Sequence, residues 1–172
     1  MKAVYVHVPF CRDICAYCDF TRCRYHAGLA DQWLLAVERE LQEKLAQVSV
    51  ETAYIGGGTP SALNSRQLEQ LLKLLAPYTT QVQEYTVEAN VESLEDEKIV
   101  LLKRYGVNRI SLGVQTLQPT LLPIIGRRHT RKEVVERIQQ LHQYGIHNIS
   151  IDLIYGLPQQ TMEMWQDDLQ DI

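Results

Sequence analysis

The chain has 172 residues, of which 45% are hydrophobic and 22% charged, with a formal net charge of −4. That length holds one domain with a sizeable core, and the composition excludes a disordered or fibrous chain. The acidic balance argues against nucleic acid as a partner, because the broad positive field of such binders is missing and only Arg127-Arg128-His129 forms a local basic cluster.

At the N-terminus the chain meets Pro9 and Cys11 before a signal-peptide core can form, and no apolar run approaches membrane-spanning length. A reducing cytoplasm is the expected location. Short β-branched or apolar runs then alternate with amphipathic stretches, the pattern of βα units on a parallel sheet. Strands are expected at Ala3–Val8, Thr52–Ile55, Tyr85–Glu88, Arg109–Gly113 and Asn148–Ile154. Leu34, Val37, Leu41, Leu45 and Val48 give the first helix its apolar face, and Leu68, Leu71, Leu72 and Leu75 the second. A third helix is expected over Ser93–Tyr105. The fourth starts at Thr130, where Thr130 and Glu133 are spaced as a capping box, buries Val134, Ile138 and Leu141, and stops at Gly145. The fifth opens near Thr161 and keeps helical register to Ile172.

An internal repeat supports these units. Leu102, Tyr105, Gly106, Val107, Ile110 and Ser111 share a frame with Leu141, Tyr144, Gly145, Ile146, Ile149 and Ser150, each a helix, a glycine stop and a strand. Such units build a doubly wound sheet or a barrel. About five are expected, in a fold that continues past the last residue, because a five-strand arc leaves a parallel edge unpaired.

All four cysteines fall within Cys11–Cys23, a grouping that suits metal ligation better than a disulfide framework. Cys11, Cys15 and Cys18 directly follow the first strand, where parallel α/β folds place their chemistry. Three thiolates can hold three irons of a four-iron cluster and leave the fourth open to a small molecule. The competing reading is a zinc knot completed by Cys23, His7 or His26, although zinc sites more often pair a close cysteine couple with a distant one. On their own chemistry, Cys23 is expected as a small, buried or partly exposed thiol and His7 as a hydrogen-bonded strand residue.

Gly56-Gly57-Gly58-Thr59-Pro60 follows the second strand. It lacks the Lys-Ser/Thr of a phosphate-binding loop and the spacing of a dinucleotide fingerprint, so alone it fits either close backbone approach to a ligand or a plain strand-to-helix turn. Glu88, Gln115 and Asp152 stand at or just past three strand ends, and in a barrel they converge on one mouth. Arg127 and Arg128 precede the helix at Thr130 and face the positive end of its dipole, so an anion such as a ligand carboxylate is expected against them. Arg128 and His129 are expected to be solvated.

The cysteine loop, from Tyr5, His7, Pro9 and Phe10 through Tyr17, Asp19 and Phe20, resembles that of radical S-adenosylmethionine (radical SAM) proteins. It is most similar to the branch holding oxygen-independent coproporphyrinogen III oxidases and HemW-type haem chaperones. Gly56–Pro60, Glu88, Gly113-Val114-Gln115 and Ile151–Pro158 extend the likeness over the whole chain. The resemblance implies a partial (β/α)6 TIM-like barrel, here a radical SAM core domain over 1–172 lacking its sixth unit and a C-terminal domain. It implies a 4Fe-4S cluster on Cys11, Cys15 and Cys18. It further implies S-adenosylmethionine contacts at Tyr5, Tyr17, Gly57, Gly58, Thr59, Glu88, Gln115 and Asp152, with Arg127 holding a second S-adenosylmethionine or its equivalent. In the family the reduced cluster cleaves S-adenosylmethionine to methionine and a deoxyadenosyl radical. No residue is assigned a catalytic role.

Coproporphyrinogen oxidases of this branch carry a further cysteine where this chain has Phe20, and an extension ahead of the cluster loop. Both departures favour a haem chaperone, with haem as cargo, recipient proteins as partners and turnover left open. A porphyrinogen oxidase and a zinc-stabilised non-catalytic domain are the alternatives.

Overall fold

The computed structural model describes residues 2–45 and 48–171. Its main sheet is built from β1 (Ala3–Val8), β4 (Thr52–Gly57), β5 (Glu84–Asn90), β6 (Arg109–Gln115) and β7 (Asn148–Leu153). A second, two-stranded ladder pairs β2 (Phe10–Cys11) with β3 (Cys23–Arg24). The helices are α1 (Ala27–Leu45), α2 (Ser65–Leu75), α3 (Asp96–Arg104), α4 (Arg131–Gln143) and α5 (Met162–Gln170).

The five strands are parallel and lie in the order β1-β4-β5-β6-β7. Each new strand therefore adds beside the last, always on the same side. A doubly wound sheet reverses direction once and has a switch point, whereas a singly wound one curls towards a barrel, so the choice left open by the repeat falls to a partial barrel. β1 and β7 are the sheet's two edges.

Period-two alternation divides each strand between two environments. Val6, Val8, Ile55, Val87, Ile110 and Leu112 point to the helices and pack on Leu34, Leu68, Leu71, Leu72, Ile99 and Leu141. The alternate positions include Tyr5, His7, Tyr54, Glu88, Ser111 and Asp152, a polar inner face at one end of the barrel. The helix starts follow local chemistry. Asn64 accepts from the Gln67 N–H at 2.9 Å, Thr130 and Glu133 form the full capping box, and Thr161 accepts from the Met164 N–H. The repeat's glycine stops, Gly106 and Gly145, have φ of +83° and +79°, a left-handed backbone that a side chain would strain.

Several boundaries move. Three strands run further than expected, to Gly57, Asn90 and Gln115, while the last stops at Leu153. The third helix starts at Asp96, because Val91–Ser93 form a separate 3-10 turn. The first helix starts at Ala27 and ends at Leu45, leaving Val48 outside it. Ile172 lies outside the described residues. The β2–β3 ladder had no sequence signal, since two-residue strands carry no periodicity. No helix among the described residues is long and apolar enough to cross a membrane.

One buried carboxylate ties the last helix to the barrel. Asp168 on α5 is fully buried and accepts from the Thr116 hydroxyl at 2.6 Å, the Leu117 N–H at 3.0 Å and the Gln118 amide at 3.1 Å. Asp168→Ala leaves buried donors without an acceptor and is expected to cost about 2–4 kcal/mol in urea unfolding; a loss below about 0.5 kcal/mol contradicts the clamp.

Candidate cofactor site

The cysteine loop is a closed ring set on the end of β1. Cys23 N–H donates to Pro9 O at 2.7 Å and Tyr25 N–H to Cys11 O at 2.8 Å, so the segment returns beside the place it left. Phe10, almost fully buried, anchors the ring through edge contacts with Tyr25 and Trp33. Arg22 fastens the loop from inside, donating to Phe20 O at 3.0 Å and Cys15 O at 3.4 Å.

The glycine turn is sewn onto this ring. Gly58 N–H donates to Val8 O and Thr59 N–H to Phe10 O, both at 2.8 Å, carrying the β1–β4 ladder past the strand and into the cysteine loop. A Cβ on Gly58 would stand 2.8 Å from Phe10 O and 3.0 Å from Cys11 Sγ, so only glycine fits there. Thr59, itself buried, donates its hydroxyl to Cys11 Sγ at 3.6 Å. Lys98 holds the far side of the turn. Its ammonium is completely buried and donates to Ser61 O at 2.7 Å and Ser93 O at 2.9 Å; burial pushes its pKa down.

These elements enclose a cavity of about 360 Å3 lined by Cys11, Cys15 and Cys18 on one side and by Gly57, Gly58 and Thr59 on another. Glu88, Gln115 and Asp152 reach it from the ends of β5, β6 and β7. Glu88 receives the Tyr54 hydroxyl at 2.7 Å and the Gly57 N–H at 3.0 Å, and so braces the glycine turn. Gln115 reaches inward from a left-handed backbone, φ +73°, at an irregularity in the β6–β7 register. Asp152 accepts from the Ser111 hydroxyl at 3.1 Å. Tyr17 also lines the cavity, its phenol pKa raised by burial and by nearby Cys15. Burial likewise pushes the Cys11 thiol up, with the Thr59 hydroxyl opposing and the neighbouring Cys18 and Cys15 reinforcing.

Two expected contacts sit elsewhere. Tyr5 is not among the residues lining this cavity; it lies lower on the inner face, with its hydroxyl 3.2 Å from His7 Nδ1 and its ring against Tyr54. Arg127 lines an adjoining cavity of about 350 Å3. There the anion that offsets it is not a ligand but Glu92, which receives Nε at 2.9 Å and Nη2 at 2.7 Å, while Gly113 O takes a third bond. Arg127 Nη1 remains buried with no partner among the described residues. Arg128 is exposed as expected, but His129 is not: it is 2% exposed, with Nδ1 3.1 Å from Glu92 and Nε2 3.4 Å from Thr116 O. A histidine beside two arginines looked like surface; the Glu92 carboxylate draws it inward.

The donor set fits a three-thiolate cluster. Three cysteines meet one cavity, and neither His7, His26 nor Cys23 lines it as a fourth ligand. His7 is engaged by Tyr5 and by Thr21 O at 2.9 Å. Among the described residues no three His, Cys, Asp or Glu side chains close on a single-ion site. Sequence reasoning missed Arg22, Asn90, Glu92, Lys98 and Ser111. Of these, only Glu92 had a visible signal, an acidic residue just past a strand end.

A singly wound parallel barrel that gathers three cysteines and a glycine turn around one mouth cavity has the donor set and the space that a three-thiolate iron–sulfur cluster with a small ligand requires. The chain belongs to the Radical SAM superfamily, whose sequence profile matches residues 5–172, and that family implies a 4Fe-4S cluster and S-adenosylmethionine. It is 42% identical over 170 residues to the haem chaperone HemW of Bacillus subtilis (strain 168), spanning 95% of this chain and 45% of that protein. It is 45% identical over 171 residues to HemW of Lactococcus lactis subsp. lactis (strain IL1403), spanning 98% and 45%. Coproporphyrinogen III oxidase (HemN) from Escherichia coli, described as a radical SAM enzyme, superposes with a TM-score of 0.89 at 31% identity, over 98% of this chain and 40% of that one. The chain therefore spans less than half the length of these relatives.

Burial opposes the charged form of Glu92, but hydrogen bonds from His129 and Arg127 outweigh it and hold its carboxyl far below the usual range. Glu92→Gln is expected to lower the unfolding free energy by roughly 3 kcal/mol at pH 7. The depressed carboxyl contributes fully above its unfolded value of about 4.3 and progressively less as pH falls below it. The gap between wild type and variant should narrow over that acid range in pH-dependent denaturation; a constant gap contradicts the assignment.

Proposed function

We propose that the chain is the cofactor-bearing core of a HemW-type haem chaperone, holding a 4Fe-4S cluster on Cys11, Cys15 and Cys18 and S-adenosylmethionine at the open iron. The observation that carries this reading is the meeting of three thiolates, the Gly57–Thr59 turn and the polar ends of β5, β6 and β7 on one cavity, in a chain 42–45% identical to haem chaperones. When bound, the cluster and S-adenosylmethionine supply one-electron chemistry. The protein's part is positional. Gly57 and Gly58 let the backbone approach the ligand, Glu88 and Asp152 accept from its ammonium or hydroxyl groups, and Gln115 can donate or accept. Arg127, whose charge is already matched by Glu92, has only Nη1 left to donate to a second carboxylate-bearing ligand in the adjoining cavity. Haem is the cargo, protein acceptors the recipients, and the cytoplasm the compartment.

Phe20, 72% exposed at the cavity rim, supports the chaperone over the oxidase, because coproporphyrinogen oxidases of this branch carry a cysteine there. The structural likeness to HemN supports oxidase chemistry as the second reading.

Anaerobic reconstitution is expected to yield a brown, four-iron protein, and Cys11→Ala, Cys15→Ala or Cys18→Ala each to lose the intact cluster, read by iron content and absorbance. A variant that keeps a stable four-iron spectrum sinks the ligand assignment. The protein should also bind haem stably without consuming coproporphyrinogen III; turnover of coproporphyrinogen would favour the oxidase.

A further inference from the structure

Thr59 closes the glycine turn against the cysteine loop, and each of its polar groups has a partner. Its N–H donates to Phe10 O and its carbonyl accepts from the Ala62 N–H, both at 2.8 Å. The hydroxyl, in a residue only 6% exposed, meets two neighbours: Asn90 Nδ2 donates to it at 3.3 Å, and it lies 3.6 Å from Cys11 Sγ. A hydroxyl has one proton to give. With the Asn90 amide occupying a lone pair of the oxygen, that proton is directed at the sulfur. A cysteine that ligates a metal is a thiolate with no proton of its own, so the bond then has only this direction.

Asn90 is itself fixed at both of its backbone groups. Its N–H donates to Ser61 Oγ at 3.1 Å, and the Ser93 hydroxyl donates to its carbonyl at 3.4 Å. The two serine oxygens are 2.6 Å apart, so the proton of Ser61 goes to Ser93 and a ring closes on the Asn90 backbone. Both serines are buried, and the ammonium of Lys98 holds them by their carbonyls. On the neighbouring strand, a Cβ at Gly113 would stand 2.8 Å from Asn90 Oδ1, so the missing side chain leaves the amide its place. One hydrogen-bonded chain thus runs from a buried cation through Ser61, Ser93, Asn90 and Thr59 to the sulfur of Cys11.

We propose that Thr59 poises the cluster by donating to Cys11 Sγ, and that Asn90 is the positioning residue that aims the hydroxyl. The inference rests on the cluster reading and adds to it how the protein sets the cluster's reduction potential. An added electron increases the negative charge shared by a cluster and its thiolates, so a hydrogen bond to a thiolate is stronger in the reduced form and raises the potential. Burial keeps water from competing for the same sulfur, which strengthens the contact.

The test is a reductive titration of the reconstituted protein with dithionite, followed by electron paramagnetic resonance in the absence of S-adenosylmethionine. Thr59→Val keeps the shape of the side chain and removes its proton. At a fixed potential its reduced-to-oxidised ratio should fall about tenfold, a shift of the midpoint by ~59 mV to lower potential for a one-electron couple. Thr59→Ser should restore most of that shift. Asn90→Ala should move the midpoint the same way by a smaller amount, and Thr59→Val/Asn90→Ala no further than Thr59→Val alone, since Asn90 acts through Thr59. A Thr59→Val protein with four irons and an unmoved midpoint overturns the inference, as do shifts that add in the double variant. Loss of iron from both single variants overturns it too, because the contact would then build the site rather than poise it. An unsubstituted protein that binds no four-iron cluster overturns the cofactor reading itself.

Discussion

The site depends on the close approach of Gly58 to the cysteine loop. The N–H groups of Gly58 and Thr59 take up the carbonyls of Val8 and Phe10, so the parallel ladder begun at Ala3 and Thr52 does not stop where β1 stops. Because a Cβ at Gly58 would meet Phe10 O at 2.8 Å, the two loops touch only if that residue has no side chain. The cysteine loop and the glycine turn are thereby held in one frame. What surrounds that frame is bracing: Arg22 inside the ring, Lys98 behind the turn, Glu88 beneath it.

The polar groups of the mouth are arranged so that few face each other unpaired. Glu88 is held by Tyr54 and Gly57, Asp152 by Ser111, and Arg127 and His129 by Glu92. Buried charges in such a setting stand only when matched, and the matching is done across strands that are far apart in sequence. The Glu92 carboxylate spans 35 residues to reach Arg127, linking the end of β5 to the loop before α4. This same contact lies at the adjoining cavity, which Glu92, Arg127 and His129 all line.

Most of the barrel was legible because it is written in periodicity. The apolar faces of α2 and α4, the capping box at Thr130 and the repeated glycine stops are local signals, and local signals survive into the fold. The gathering of the three cysteines at one cavity was legible too, since cysteines at such short spacing after a strand stay together in its end loop. What the chain concealed are contacts whose two halves lie far apart. Lys98 occupies an amphipathic helix, where a lysine looks solvent-facing, yet it is buried because two loop carbonyls, Ser61 and Ser93, need a donor. His129 turned inward for the sake of Glu92, and Tyr5, expected at the mouth, pairs instead with His7 and Tyr54. The β2–β3 ladder is too short for any pattern, and only the return of the chain at Cys23 creates it.

The central claim is that three thiolates hold a cluster whose remaining iron is free for S-adenosylmethionine. Mössbauer spectroscopy of protein reconstituted with 57Fe tests it most directly. One iron in four should change its isomer shift and quadrupole splitting when S-adenosylmethionine is added, while the three on Cys11, Cys15 and Cys18 stay as they were. Four irons that are indistinguishable and unmoved by S-adenosylmethionine would contradict the account.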